Sequence, residues 1–212
     1  MRNSSQTDLD SQDSGYISAD SILRTIAYCF IFTLGLLGNG FVLYALKQKK
    51  RRRTANDWFI LNLTVSDMML IVCIPADVYL KVGNFSYNIL FCKVQCPLCT
   101  LVYFVSIFTI TAMAVERHQV ITKPFQPKME RQRAFLVVGG IWVLALVLTV
   151  PLPIVTSAGA NECEEEWPRI YKNLYTAILV VFQYLLPLAI ITAAYIYIVI
   201  YLWNKQSLAT GT

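Results

Sequence analysis

Five stretches nearly free of charge divide this chain: residues 22–46, 58–80, 92–115, 134–155 and 173–203. Each is at least about 20 residues long, enough for an α-helix to cross a hydrocarbon core of roughly 30 Å. Charged residues make up 15% of the chain, where a soluble domain carries about a quarter. Buried helices of a soluble bundle rarely run so long with so few charges. Strands do not fit either: the segments lack period-two alternation, and a backbone in lipid has to satisfy its own hydrogen bonds. An all-α membrane protein with five spanning helices is therefore expected.

Basic residues fall mainly in alternate loops. Lys47, Lys49, Lys50, Arg51, Arg52 and Arg53 lie between the first two stretches. Arg117, Lys123, Lys128, Arg131 and Arg133 lie between the third and fourth, and Lys205 follows the fifth. The other loops and the leader hold Arg2, Arg24, Lys81, Lys93, Arg169 and Lys172, six against twelve. Basic loops stay cytoplasmic, which predicts an extracellular N-terminus and a cytoplasmic C-terminus. Membrane topology thus accounts for the basic runs, and nucleic-acid binding is not expected.

Residues 1–21 read as a polar, disordered extracellular leader, 22–203 as the five-helix membrane portion and 204–212 as a cytoplasmic end. The first 20 residues contain no apolar core of a cleavable signal, so the first stretch would both target and anchor the chain. Asn3-Ser4-Ser5 is a glycosylation acceptor. Asn84-Phe85-Ser86 also matches but lies close to the membrane, and Asn62-Leu63-Thr64 lies within a helix.

Cys92 opens the third stretch on the outer side, and Cys163 lies in the next outer loop. Both face an oxidising compartment and can form a disulfide. Cys92, Cys96 and Cys99 share one helical face and could hold zinc. The one histidine, His118, lies across the membrane from them, so apolar packing is the expectation.

An ionisable residue inside a membrane helix costs about 2.5–3.5 kcal/mol on insertion scales and marks a functional candidate. Asp67 is deep in the second stretch, Asn39 at a comparable depth in the first, and Ser106 in the middle of the third. Converging, they could hold a small cation or ordered water, or form a purely structural cluster. Glu116-Arg117-His118 closes the third stretch. Seven residues beyond Arg117, Pro124 precedes Phe125, an apolar side chain in a basic loop. Solvation explains that phenylalanine poorly, and insertion into a partner explains it well.

Taken together, these residues resemble a known family. They are Gly38-Asn39, Asn62-Leu63 with Asp67, Cys92, and Glu116-Arg117-His118 with Arg117 placed 25 residues after Cys92. Trp142, Cys163, and Pro187 with Tyr195 eight residues on complete the set. In this order they resemble the rhodopsin class of G-protein-coupled receptors, from residue 22 onward. The resemblance implies the first five helices of a seven-helix bundle and no enzymatic activity. It implies an allosteric sodium pocket at Asp67, Ser106 and Asn39, and no other cofactor. It further implies G-protein coupling through Glu116, Arg117, His118, Phe125 and Tyr195, with Pro187 at a bulge that shifts on activation.

The ligand class is read from the same resemblance. Cys99 stands where amine receptors carry Asp, so an amine is not expected. Glu116-Arg117-His118-Gln119 and Glu164-Glu165-Glu166-Trp167 resemble neuropeptide receptors of the RFamide and neuropeptide Y group. Glu162, Glu164, Glu165 and Glu166 make the outer loop acidic, a field that attracts a basic peptide. Asp77, Cys96, Cys99, Tyr103, Glu164, Glu165, Glu166 and Trp167 are the candidate ligand contacts. Cys99 also replaces a glutamine common in those groups, which argues against an amidated ligand. The chain ends at Thr212 without the family's sixth and seventh helices, so it reads as incomplete and unable to signal alone. A non-signalling regulator that pairs with full-length receptors is the first rival reading. A transporter or channel is the second, and would need further intramembrane charges beyond Asp67.

Overall fold

A computed structural model describes residues 19–49, 53–82, 86–125, 129–159 and 162–210. Helix α1 is Ala19–Gln48, α2 Ala55–Val82, α3 Ile89–Thr122 and α4 Arg131–Thr149. A short helix, α5 (Leu152–Val155), leads into a hairpin of β1 (Thr156–Ala158) and β2 (Cys163–Glu165). The fifth long helix is continuous but composite: α6 (Arg169–Leu179), a π-helical stretch (Val180–Leu185) and α7 (Leu186–Thr210). The five expected helices are all present. Helix α1 begins at Ala19, inside the segment expected as leader, and α7 continues to Thr210, through most of the expected cytoplasmic end. Residues 1–18, with the acceptor Asn3, and Asn84 lie outside the described residues.

Among the described residues, four segments are long and apolar enough to cross a membrane: Ile22–Gln48, Ile89–Thr122, Arg131–Val155 and Arg169–Ser207. Helix α2 is 28 residues long, about 42 Å at 1.5 Å per residue. Its polar residues Asn62, Thr64 and Ser66 are buried in the bundle.

Local chemistry sets the helix ends. Thr54 and Asp57 form a reciprocal cap on α2: the Thr54 N–H donates to Asp57 Oδ2 at 2.6 Å, and the Asp57 N–H donates to Thr54 Oγ1 at 3.4 Å. Asn88 caps α3 by accepting from the Leu90 N–H at 2.8 Å. Pro124 follows two residues after α3 ends, where it cannot continue the helix.

Helix α3 lies at the centre, packed against α2, α4 and α7. Phe104 and Val105 of α3 form the core with Ile141 and Ala145 of α4. Phe59 and Ala55 of α2 pack on Ala134 of α4 nearer one end. Helix α1 approaches α2 closely through Gly35, where a Cβ would come within 2.7 Å of Ile71 Cδ1. Away from these seams α1, α4 and α7 expose Phe30, Leu37, Phe41, Leu136, Val147, Ile196 and Trp203. Such large apolar faces are costly in water and ordinary in lipid.

Candidate functional site

The candidate side chains lie along a polar line through the bundle, from the hairpin at one end to the Arg117 end of α3. At the hairpin end, Cys92 and Cys163 form a disulfide with Cα atoms 5.4 Å apart, as their placement in the sequence allowed. It fixes β2 to the start of α3. Glu164 and Glu165 follow on β2, paired in register with Ser157 and Thr156, and both are exposed, as is Glu166. Trp167 does not stand free: its indole N–H donates to Glu165 Oε2 at 2.7 Å, and its ring stacks on Tyr175 with centroids 4.8 Å apart. The Tyr175 hydroxyl donates to the Leu148 carbonyl at 3.0 Å. The acidic loop is thereby held to α3, α4 and α6 at once. Tyr175 was missed in the sequence, where nothing separates it from its neighbouring tyrosines.

Below the disulfide, Cys96, Cys99 and Tyr103 continue the face of α3 that starts at Cys92, with spacings that keep them on one side of a helix. Cys96 and Cys99 are half-buried and Tyr103 is exposed. Gln95 donates to the Cys73 carbonyl at 2.9 Å, tying α3 to α2. The side chain of Asp77 lies outside the described residues.

In mid-bundle, Ser106 of α3 donates to Asp67 Oδ1 of α2 at 3.0 Å and shares a 2.8 Å hydrogen bond with Ser66. Asn39 instead donates to the Gly35 carbonyl of its own helix at 3.0 Å. The structure therefore joins two of the three expected pocket residues directly and adds Ser66. One turn further along, Asn62 donates to Thr109 Oγ1 at 2.7 Å and accepts the Trp142 indole N–H at 2.8 Å. This buried node links three helices. In the sequence Asn62 and Trp142 stand only as separate motif residues. The cost of burying a carboxamide in an apolar helix was the available signal.

At the other end, Glu116 and Arg117 line a depression of about 400 Å³ together with Thr54, Asn56, Val120, Ile121 and Met129. Arg117 is exposed. His118 meets Tyr197 edge-on, with centroids 5.9 Å apart. Tyr195 is 44% exposed and lines a shallow groove on α7 with Ile191, Thr192, Ile196, Val199 and Ile200, away from Arg117. Phe125 is fully exposed. Lys49 pairs with Asp57 beside the α2 cap. Burial pushes the Asp57 carboxyl up, but hydrogen bonds from Lys49 and from Thr54, with the Lys49 charge, outweigh it and hold the group below its ordinary value.

Comparison with known proteins matches this arrangement. Residues 38–211 match the family described as 7 transmembrane receptor (rhodopsin family). The neuropeptide Y receptor type 2 of Gallus gallus is 31% identical over 94% of this chain and 56% of its own length. The substance-K receptor of Bos taurus is 32% identical over 87% of this chain and 50% of its own. The RYamide receptor of Drosophila melanogaster is 28% identical over 94% of this chain and 46% of its own. The chain spans about half the length of the curated relatives it matches. A disulfide-tethered hairpin, a polar line through apolar helices and a family match over most of the sequence agree: this multi-pass membrane chain is no enzyme and belongs to the rhodopsin family of seven-transmembrane receptors.

Proposed function

We propose that, as part of a full seven-helix receptor, the protein receives an extracellular basic peptide at the hairpin end and relays its binding to a heterotrimeric G protein at the Arg117 end. The observation that carries this reading is the acidic hairpin. Glu164, Glu165 and Glu166 are exposed on a loop anchored to α3 by Cys92–Cys163 and to α6 by Trp167 on Tyr175. An anchored acidic surface attracts a cationic ligand and loses little loop entropy when it binds. The relatives named for neuropeptides support the peptide class. The basic loops support an extracellular N-terminus with Arg117 inside, and the receptor family supports a plasma-membrane location.

The relay is a population shift: the peptide binds one state more tightly, and that state leaves Arg117 free to engage the G protein alongside Phe125. Asp67, Ser106 and Ser66 offer hard oxygen donors that fit a sodium ion, which would favour the state that holds them together.

The test is a peptide-library screen on cells displaying the chain joined to the sixth and seventh helices of a relative, read as bound labelled peptide and as G-protein dissociation. Saturable binding of basic peptides, weakened several-fold by E164Q with E166Q, supports the reading. Binding indifferent to peptide charge overturns the electrostatic part. Binding without dissociation favours a regulator that associates with other receptors.

A further inference from the structure

Thr54 stands at the Arg117 end of the bundle, immediately before α2. It is exposed and lies outside the helix. Thr122, Ser207 and Thr210, by contrast, lie within α3 and α7. Five consecutive basic residues, Lys49 to Arg53, come directly before Thr54 in the sequence. Helix capping accounts for a threonine at this position. It does not account for the same threonine lining the depression of about 400 Å³ that also holds Glu116 and Arg117.

The Thr54 hydroxyl takes part in a small electrostatic cluster. Its Oγ1 donates to Asp57 Oδ2 at 2.9 Å. The same carboxylate oxygen accepts the Thr54 N–H at 2.6 Å and a hydrogen bond from Lys49 Nζ. A phosphate ester at Oγ1 would remove the hydroxyl donor and set a charge of about −1.5 to −2 against Asp57. The bond from the Thr54 N–H would remain, so α2 would keep part of its cap. Repulsion turns the phosphate from Asp57, and the depression shared with Arg117 offers it a guanidinium to grip with two parallel hydrogen bonds. Lys49, Arg53 and Arg117 outnumber Asp57 and Glu116 around it. The positive end of the 28-residue α2 dipole favours the same anion.

We propose that Thr54 is the acceptor for a protein kinase that selects basic segments, and that the phosphothreonine pairs with Arg117 and covers it. Thr54 Oγ1 attacks the γ-phosphorus of magnesium-bound ATP. The Oγ1–P bond forms as the bond from that phosphorus to the β–γ bridging oxygen breaks, ADP leaves, and the hydroxyl proton passes to the kinase's catalytic carboxylate. An acidic substrate groove on the kinase matches the run before Thr54. The presence of kinase and ATP on this face rests on the orientation proposed above. The consequence, an Arg117 withheld from the G protein, rests on the proposed relay. Neither the acceptor chemistry nor the pairing does.

The test treats the 212-residue chain, purified in detergent, with magnesium ATP and the catalytic subunit of cyclic-AMP-dependent protein kinase, which selects arginines ahead of its acceptor. Phosphate is mapped by mass spectrometry. It should appear on Thr54 in the wild type and on the serine of T54S. Its absence from Thr54 after exhaustive reaction overturns the site. The pairing is read by phosphorus NMR, because a phosphothreonine has a second pKa of about 6 that a nearby guanidinium lowers. R117Q should raise that value by about one unit, and R117K should restore most of the difference. An identical titration in wild type and R117Q overturns the pairing. If R117Q does not fold, labelling of Arg117 by phenylglyoxal carries the test without a variant. Phosphorylation should slow the labelling several-fold, and an unchanged rate overturns the pairing. The mixture holds neither peptide nor G protein, so a failure here leaves the proposed relay standing.

Discussion

Trp142 and Asn62 meet through a 2.8 Å hydrogen bond that joins α4 to α2 across 80 residues of sequence. The other side of the same carboxamide donates to Thr109 of α3. Asn62→Leu fills similar space but orphans the Trp142 indole N–H, at about 1–3 kcal/mol for a buried group, and removes the bond that Thr109 accepts, while the Thr109 hydroxyl keeps its own bond to the Val105 carbonyl. The variant is expected to melt well below the wild type in detergent, by more than Thr109→Val, which removes one of the node's two bonds between helices. Equal melting of N62L and wild type would show that the node contributes nothing.

The disulfide closes a loop over a separation of 71 residues. The chain-entropy relation assigns about 4 kcal/mol to a closure of this length. Cys163→Ser is expected to destabilise the hairpin and to quench its stacking, read as a change in tryptophan emission from Trp167. An unchanged spectrum after both C163S and chemical reduction would mean that Trp167 and Tyr175 hold the loop unaided.

Asp57 sets an acid limit. Its folded carboxyl lies below the ordinary value of 3.8. Its contribution is therefore fully present above that value and disappears as pH falls through the lower folded value. Melting temperature should accordingly be insensitive to this group near neutrality and fall below about pH 4. Asp57→Asn should remove that part of the acid slope. An identical slope in D57N and wild type would rule the group out as its source.

The proposed sodium site at Asp67 predicts a specific salt effect. Sodium chloride should raise the melting temperature relative to choline chloride at equal ionic strength, and Asp67→Asn should abolish the difference. Ser106→Ala, which removes the 3.0 Å partner, should reduce it. A sodium effect that survives in D67N would place the ion elsewhere.

Much of the fold could be read from the amino acids because membrane spans follow from length and apolarity. The five long helices are of that kind, and the Cys92–Cys163 bond was legible because the spans put both cysteines on one side of the bundle. Properties that depend on how helices rotate against one another were not legible. Asn62 becomes a hub only where α2, α3 and α4 cross. Asn39 has the right depth to join Asp67, yet its amide turns to Gly35 of its own helix. Tyr197, not Tyr195, touches His118, because the rotation of α7 places Ala194 and Ile198 against the bundle. The stack on Trp58 joins Arg53 and Arg131, which read only as topology markers in two separate loops.

The π-helical stretch Val180–Leu185 explains how one helix serves two seams. Tyr175 and Pro187 are both buried, yet twelve positions at about 100° each would leave them about 120° out of phase in an unbroken α-helix. A wide turn absorbs one residue without advancing the helix, and the remaining eleven steps bring them to within about 20° of each other. The stretch thus acts as a phase corrector. It lets the upper segment present Tyr175 to α4 while the lower segment presents Pro187, Ala194 and Ile198 inward. Straightening it would swing one half of the helix about its own axis relative to the other. Information could then pass along this helix as rotation, with no need for it to bend or slide.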